Sequence, residues 1–218
     1  MVYLPPHFEE RRVEAMHDLI RAHPLGTIIH LGTDGLSANH IPFLIDPTAG
    51  SNGTLLAHVA RNNALWREAS SELESLVIFQ GPDAYISPNW YATKRETHEV
   101  VPTYNYAVVH AYGRIQVHDD EKWLRGVIGK LTKVMEASQP APWKMADAPR
   151  DYLNARLTEI VGIEIEITRL IGKSKLSQNR SAADREGAIA GLRGTENPGD
   201  AATADMMEAL FLGDMGKA

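Results

Sequence analysis

Residues 161–171, VGIEIEITRLI, constrain the fold more than any other stretch. Ile163, Ile165 and Ile167 alternate with Glu164, Glu166 and Thr168. Successive side chains of an extended chain point to opposite faces, so this order describes a strand with one apolar and one wet side. A strand of that kind needs a sheet whose apolar side is covered. Further extended runs occur at 27–31, 36–45, 54–60, 76–79 and 107–117. The first two are joined by Thr33-Asp34-Gly35, a hairpin signal. Turns and short helices link these runs without a regular strand–helix alternation. The expectation is therefore a mainly β chain with peripheral helices, arranged as a closed or partly open antiparallel barrel.

Helical spacing marks residues 9–22 through Val13, Met16, Leu19 and Ile20, with Pro24 closing the segment. Asn63 is placed to cap a short helix over 64–69. Asp119 is placed to cap a longer one, in which Trp123, Val127, Leu131 and Val134 share a face. Prolines 140, 142 and 149 precede a helical piece at 152–160. Ser181 and Asp184 have capping-box spacing at the head of a helix over 182–192. One domain over 1–193 is expected, followed by a tail, 194–218, that is either mobile or docks a partner.

The 218 residues suffice for one good core. Without cysteine there are no disulfides, thiolate nucleophiles or cysteine-held clusters. No run is apolar enough to span a membrane and the first residues lack the order of a secretory signal, so a cytoplasmic location is expected. A net charge of −6 argues against a surface that coats nucleic acid, leaving DNA contact local or indirect.

Chemistry concentrates in residues 80–106, where prolines 82, 88 and 102 stiffen a stretch rich in rings, amides and hydroxyls. Rings offer stacking surface and fixed polar groups orient a planar ligand. Lys173, Lys175, Ser177, Gln178, Asn179 and Arg180 form a donor cluster suited to phosphate or an electron-rich ring edge. Arg61, Asn62 and Asn63 form a second one before a short helix. Together they suit a nucleotide-like cofactor. Dinucleotide-binding and P-loop fingerprints, a GxSxG elbow and a paired-histidine zinc motif are all absent. His30, His40, His58 and His110 lie singly on expected strands, and Glu164 with Glu166 reads as a solvated face.

Seven ordered stretches resemble one family: HPLGT at 23–27, ANHIPF at 38–43, HVARNNALW at 58–66, FQGPDAYISPNWY at 79–91, VPTYNYAVVHAYG at 101–113, VGIEIEI at 161–167 and KLSQNR at 175–180. The chain is similar over about residues 1–193 to PaiB-type proteins of the FMN-binding split-barrel superfamily, often named negative transcriptional regulators. The resemblance implies an FMN-binding split β-barrel and a homodimer with FMN at the interface. Asn39, His40 and Ile41 match a strand running along the isoalloxazine. Arg61 and Asn63 match a segment that meets the phosphate. Ser87, Trp90, Tyr104, Asn105 and Tyr106 would close the pocket, and Lys175 and Gln178 match the late donor cluster. Ser174 stands where the family carries a bulkier residue. Two functions follow: an FMN-binding negative transcriptional regulator, or a flavin-dependent oxidoreductase using a reduced nicotinamide donor. Haem binding is a third route.

Overall fold

Ile163, Ile165 and Ile167 are completely buried, as their alternation requires, while Glu164 is half-buried and Glu166 exposed. The computed structural model describes residues 2–70 and 72–215. In chain order these form β1 (Glu9–Glu10), α1 (Val13–Ala22), β2 (Leu25–Gly32), β3 (Gly35–Pro42), β4 (Leu44–Asp46), β5 (Thr54–Ala60), α2 (Leu65–Glu68), β6 (Ser75–Ile86) and α3 (Lys94–Thr97). Then follow β7 (Thr103–Gly113), β8 (Ile115–His118), α4 (Glu121–Met135), α5 (Arg150–Leu157), β9 (Ile160–Glu166), β10 (Arg169–Lys175), α6 (Ala182–Arg193) and α7 (Pro198–Met215). One sheet has the order β1-β10-β7-β6-β2-β3 and the other β4-β5-β9-β8. The pairs β1–β10, β2–β3, β2–β6, β4–β5, β5–β9 and β8–β9 run antiparallel. Among the described residues neither sheet closes on itself, so the partly open form of the expected barrel is the one found.

The chain divides into two compact units. Unit 1 comprises Met1–Arg12, Gln80–Val109 and Ile171–Ala218; unit 2 comprises Val13–Phe79 and His110–Leu170. In unit 2, Leu55 and Ala57 of β5 and Val161, Ile163 and Ile165 of β9 face one covered side of the four-stranded sheet. Each of these Leu, Val and Ile side chains taken out of water contributes roughly 1.5–3 kcal/mol. On the other side Gly162 leaves a seat for Trp123, because a Cβ there would lie 2.2 Å from the indole. Unit 1 buries Ile86, Tyr91, Leu176, Ala188, Leu192, Ala204 and Met207 together. Residues 198–215 thus form a helix, α7, that adds Ala204 and Met207 to this core. A second indole, Trp90, is seated on Gly191 of α6, where a Cβ would again lie 2.2 Å away.

Several boundaries depart from the sequence reading. Glu9 and Glu10 are not the first turn of a helix; they pair with Lys173 and Gly172, a partnership set by residues far along the chain. The stretch 161–171 is two strands, since the amides of Ile167 and Thr168 leave the ladder to bond the carbonyls of Gly53 and Tyr112. Likewise 107–117 is broken at Arg114, between β7 and β8. β6 continues through Pro82 to Ile86; it pairs with β2 only over Leu76–Ile78, so the missing N–H lies beyond that ladder. Asp120, not Asp119, caps α4, accepting from the amide of Trp123 at 2.8 Å. The helix expected at 152–160 is α5, two to three residues earlier at each end.

Candidate functional site

The expected site residues fall in both units, and each set has its own geometry. In unit 2, β3 is the last strand of its sheet and most of its side chains are exposed. Asn39 lies opposite Ile28 and on the same side as buried Ile41, whereas His40 points the other way and is exposed. The amide of Asn63 donates to Asn39 Oδ1 at 3.0 Å, and Asn63 Oδ1 accepts from the amide of Leu65 at 2.9 Å. This chain from the first residue of α2 fixes which way the Asn39 amide faces. Its two Nδ2 hydrogens have no acceptor among the described residues and remain available to a ligand.

Arg61, at the end of β5, is largely occupied. Its Nε donates to the Thr158 carbonyl at 2.6 Å and Nη2 to the Ile160 carbonyl at 3.0 Å, while Nη1 and Nη2 grip Asp119 at 2.9 and 2.5 Å. These hydrogen bonds hold the Asp119 carboxyl below the usual carboxylate range. A guanidinium has five N–H groups, so Arg61 keeps one. Arg67, which the sequence reading passed over, stacks 4.8 Å above the Trp66 ring and, among the described residues, commits only Nη1, to the Arg61 carbonyl at 3.0 Å. The signal for it was available in its place about one turn after Arg61-Asn62-Asn63, on the short helix that follows them. His58 has an Nδ1 with no partner among the described residues, and burial pushes its pKa down, so it stays neutral at neutral pH.

In unit 1, Ser87 Oγ accepts from the Asn89 amide at 3.2 Å and starts the turn that carries Trp90 to its seat on α6. Asp184, almost fully buried, holds that region by accepting from the amide and hydroxyl of Thr93 at 2.8 and 2.7 Å. Burial alone would raise its pKa, but the hydrogen bonds from Thr93 and Ser181 and the nearby Arg180 charge leave it lowered. Tyr104 is more than half exposed, its ring edge-on to Tyr85 with centroids 5.9 Å apart. Asn105 has no exposure; its Nδ2 faces Ser177 Oγ at 3.0 Å and Met207 Sδ at 3.3 Å. Lys175 Nζ donates to Thr103 Oγ1 and the Tyr104 carbonyl. Gln178 braces its own loop, accepting from the Leu176 amide at 2.7 Å and donating to the Ser174 carbonyl. Tyr106 lies with its ring 5.2 Å from Lys173 Nζ.

Asn39 and Asn63 are therefore in direct contact, as are Lys175 and the backbone of Tyr104. Asn105 and Gln178 spend their polar groups inside unit 1. Among the described residues, no group of three or more His, Asp or Glu side chains is placed to hold a metal ion.

Two open, mostly antiparallel sheets carrying amide, cationic and aromatic groups define a flavin-type split barrel, and the family model described as "Putative FMN-binding domain" matches residues 2–169. The chain belongs to this PaiB-type FMN-binding family, whose cofactor is FMN. It is 30% identical to the protease synthase and sporulation protein PAI 2 of Bacillus subtilis, over 95% of this chain and 97% of that one. An uncharacterised protein of Aspergillus fumigatus is 34% identical over 89% of this chain and 93% of its own length. Among solved structures, the FAD and haem binding protein of Mycobacterium smegmatis matches with a TM-score of 0.57 at 16% identity, covering 83% of this chain and 79% of that one, a likeness of fold. The side chains present fit FMN by their chemistry: free amide hydrogens on Asn39 suit a carbonyl-bearing ring edge, and Arg67 with the last N–H of Arg61 suits a phosphate.

Proposed function

We propose that this protein is a cytoplasmic FMN-binding negative transcriptional regulator of the PaiB type that works as a homodimer with FMN at the subunit interface. The observation that carries the flavin half is the terminal strand β3, whose Asn39 amide is oriented by Asn63 yet left with free hydrogens. Beside it His40 and Ile41 would border the ring, and Arg61 and Asn63 would approach the phosphate. Ser87, Trp90, Tyr104 and Tyr106 would close the pocket and Lys175 would add a further polar edge, while Asn105 and Gln178 would brace the segments that carry them. Bound FMN supplies one- and two-electron redox chemistry; the protein's part is to hold, orient and shield it. The exposed end strand also supports pairing of two copies, since an unpaired edge is a ready template for another chain.

The regulatory half is supported by membership of the PaiB-type family, and no described helix is long and apolar enough to cross a membrane. The purified protein is expected to show flavin absorption, to release FMN on denaturation and to elute as a dimer. A colourless monomer that ignores added FMN would overturn the reading. Mobility-shift assays on its own upstream DNA across salt concentrations test regulation separately. A second reading, a flavin-dependent oxidoreductase with a reduced nicotinamide donor, is favoured by the cationic side chains of β10. There, reduction by NADH or NADPH no faster than that of free FMN would end it.

A further inference from the structure

β10 carries two lysines on one face, two residues apart and hence roughly 6.7 Å along the strand. Lys173 is 9% exposed, and its ammonium donates to the Tyr3 carbonyl at 3.0 Å between the rings of Tyr3 and Tyr106, at 5.6 and 5.2 Å. An ammonium has three N–H donors, so two on Lys173 and one on Lys175 lack an acceptor among the described residues. The Phe8 ring lies 6.0 Å from Lys175 Nζ. Rings attract a cation but do not replace acceptors for its hydrogens.

Among the described residues, no carboxylate pairs with either lysine. Glu9 faces Lys173 across the β1–β10 ladder, but its carboxylate pairs with Arg11 at 2.6 Å; Glu10 pairs with Arg12 at 2.6 Å. Burial, and then the charges of Lys173 and Arg180, push the pKa of Lys175 down, as expected where like charges gather without a counter-ion. The strand end is also rigidly built. Ser177 holds a left-handed φ of 65°, which a non-glycine residue keeps only where its surroundings impose it, and the Gln178 bridge between Leu176 and Ser174 closes the loop that follows Lys175. A buried N–H donor left without an acceptor costs stability until something supplies an oxygen atom.

We propose that Lys173 and Lys175 form a binding site for a phosphate or carboxylate group, whose oxygens take up the three free N–H donors. Such a group has two sources, the phosphate of FMN or a separate anionic substrate. The first source rests on the flavin reading above and would place the phosphate here instead of at Arg61 and Asn63, whereas the anion site itself does not rest on it.

The test titrates FMN-free protein with inorganic phosphate, and separately with acetate, at constant ionic strength. Wild type is expected to bind one of them saturably. Lys173→Met and Lys175→Met, which keep the apolar stem, should each weaken that binding about tenfold or more, as the loss of a charged hydrogen bond implies. Lys122→Met, at an exposed position of α4, should leave it unchanged. If Lys173→Met prevents folding, judged by its melting curve, the half-exposed Lys175 carries the test.

Comparing FMN with riboflavin, which lacks the phosphate, separates the sources. If the variants erase the preference for FMN, the group is the cofactor's own. If the preference survives and FMN-loaded wild type still binds phosphate, the group belongs to a second ligand. Absence of saturable anion binding in wild type, or binding indifferent to both lysine substitutions, overturns the proposal. Because FMN binding is scored in the same samples, a failed anion site is distinguishable from a failed flavin reading.

Discussion

The two units are held by different means. Unit 2 is drawn from two long stretches of chain, and its sheet interior is aliphatic: Leu55, Ile163 and Ile165 have no exposed surface. Unit 1 is drawn from three separate stretches, and its joints are individual polar locks: Asp184 on Thr93, Asn105 on Ser177, Gln178 across its loop. Burial is non-directional and tolerates small shifts, whereas a buried hydrogen bond demands one geometry and penalises its own loss. Unit 2 thus leans on its alternating pattern, whereas unit 1 adds particular pairs to its apolar cluster.

The largest effect should come from the pattern. Ile163→Ala, at the middle of β9, is expected to cost about 2–5 kcal/mol in urea unfolding; a loss below that range would deny that unit 2 depends on this face. Next comes a lock. Asp184→Ala leaves the Thr93 amide and hydroxyl without their acceptor and should cost about 2–3 kcal/mol. Hydrogen exchange should quicken in α6 and around Thr93 while β9 stays protected, and equal quickening in both would erase the distinction drawn between the units.

The same carboxylate sets an acid limit. Its folded pKa lies below the ordinary value of about 3.9, so the unfolded chain binds protons first; its contribution is complete above roughly pH 5 and fades as pH falls through the folded value. Wild type should therefore lose more stability than Asp184→Ala between pH 5 and pH 3, values chosen about one unit either side of that ordinary pKa. Parallel acid profiles would remove Asp184 from this role. The smallest stability change belongs to Arg61→Ala, because its pairing with Asp119 is solvent-exposed. The melting temperature should barely move while FMN affinity falls. Unchanged affinity would take Arg61 out of the cofactor site, and a clear drop in melting temperature would make it a lock like those of unit 1.

What the sequence discloses follows the same line. β5 has the expected bounds, the 163, 165, 167 face is buried, and Ser181 caps α6 by accepting from the Asp184 amide. Each depends on spacing within a few residues. Glu9 and Glu10 become a strand only because β10 pairs with them, and Asn105 meets Ser177 across 72 residues of chain. No local period encodes such meetings. For the candidate site, residue type revealed the donor clusters, and the resemblance revealed their ligand. That Arg61 is engaged by Asp119, or that Lys173 is buried without a carboxylate partner among the described residues, depends on three-dimensional neighbours that spacing does not announce.

Trp90 and Trp123 rest on glycines in separate units, each pressed against a surface with no room for a methyl group. Their emission is consequently a pair of built-in gauges. Replacing the other two indoles, Trp66 and Trp143, with phenylalanine would leave one lamp per unit, and a denaturation curve read at two wavelengths could time the departure of each from its niche.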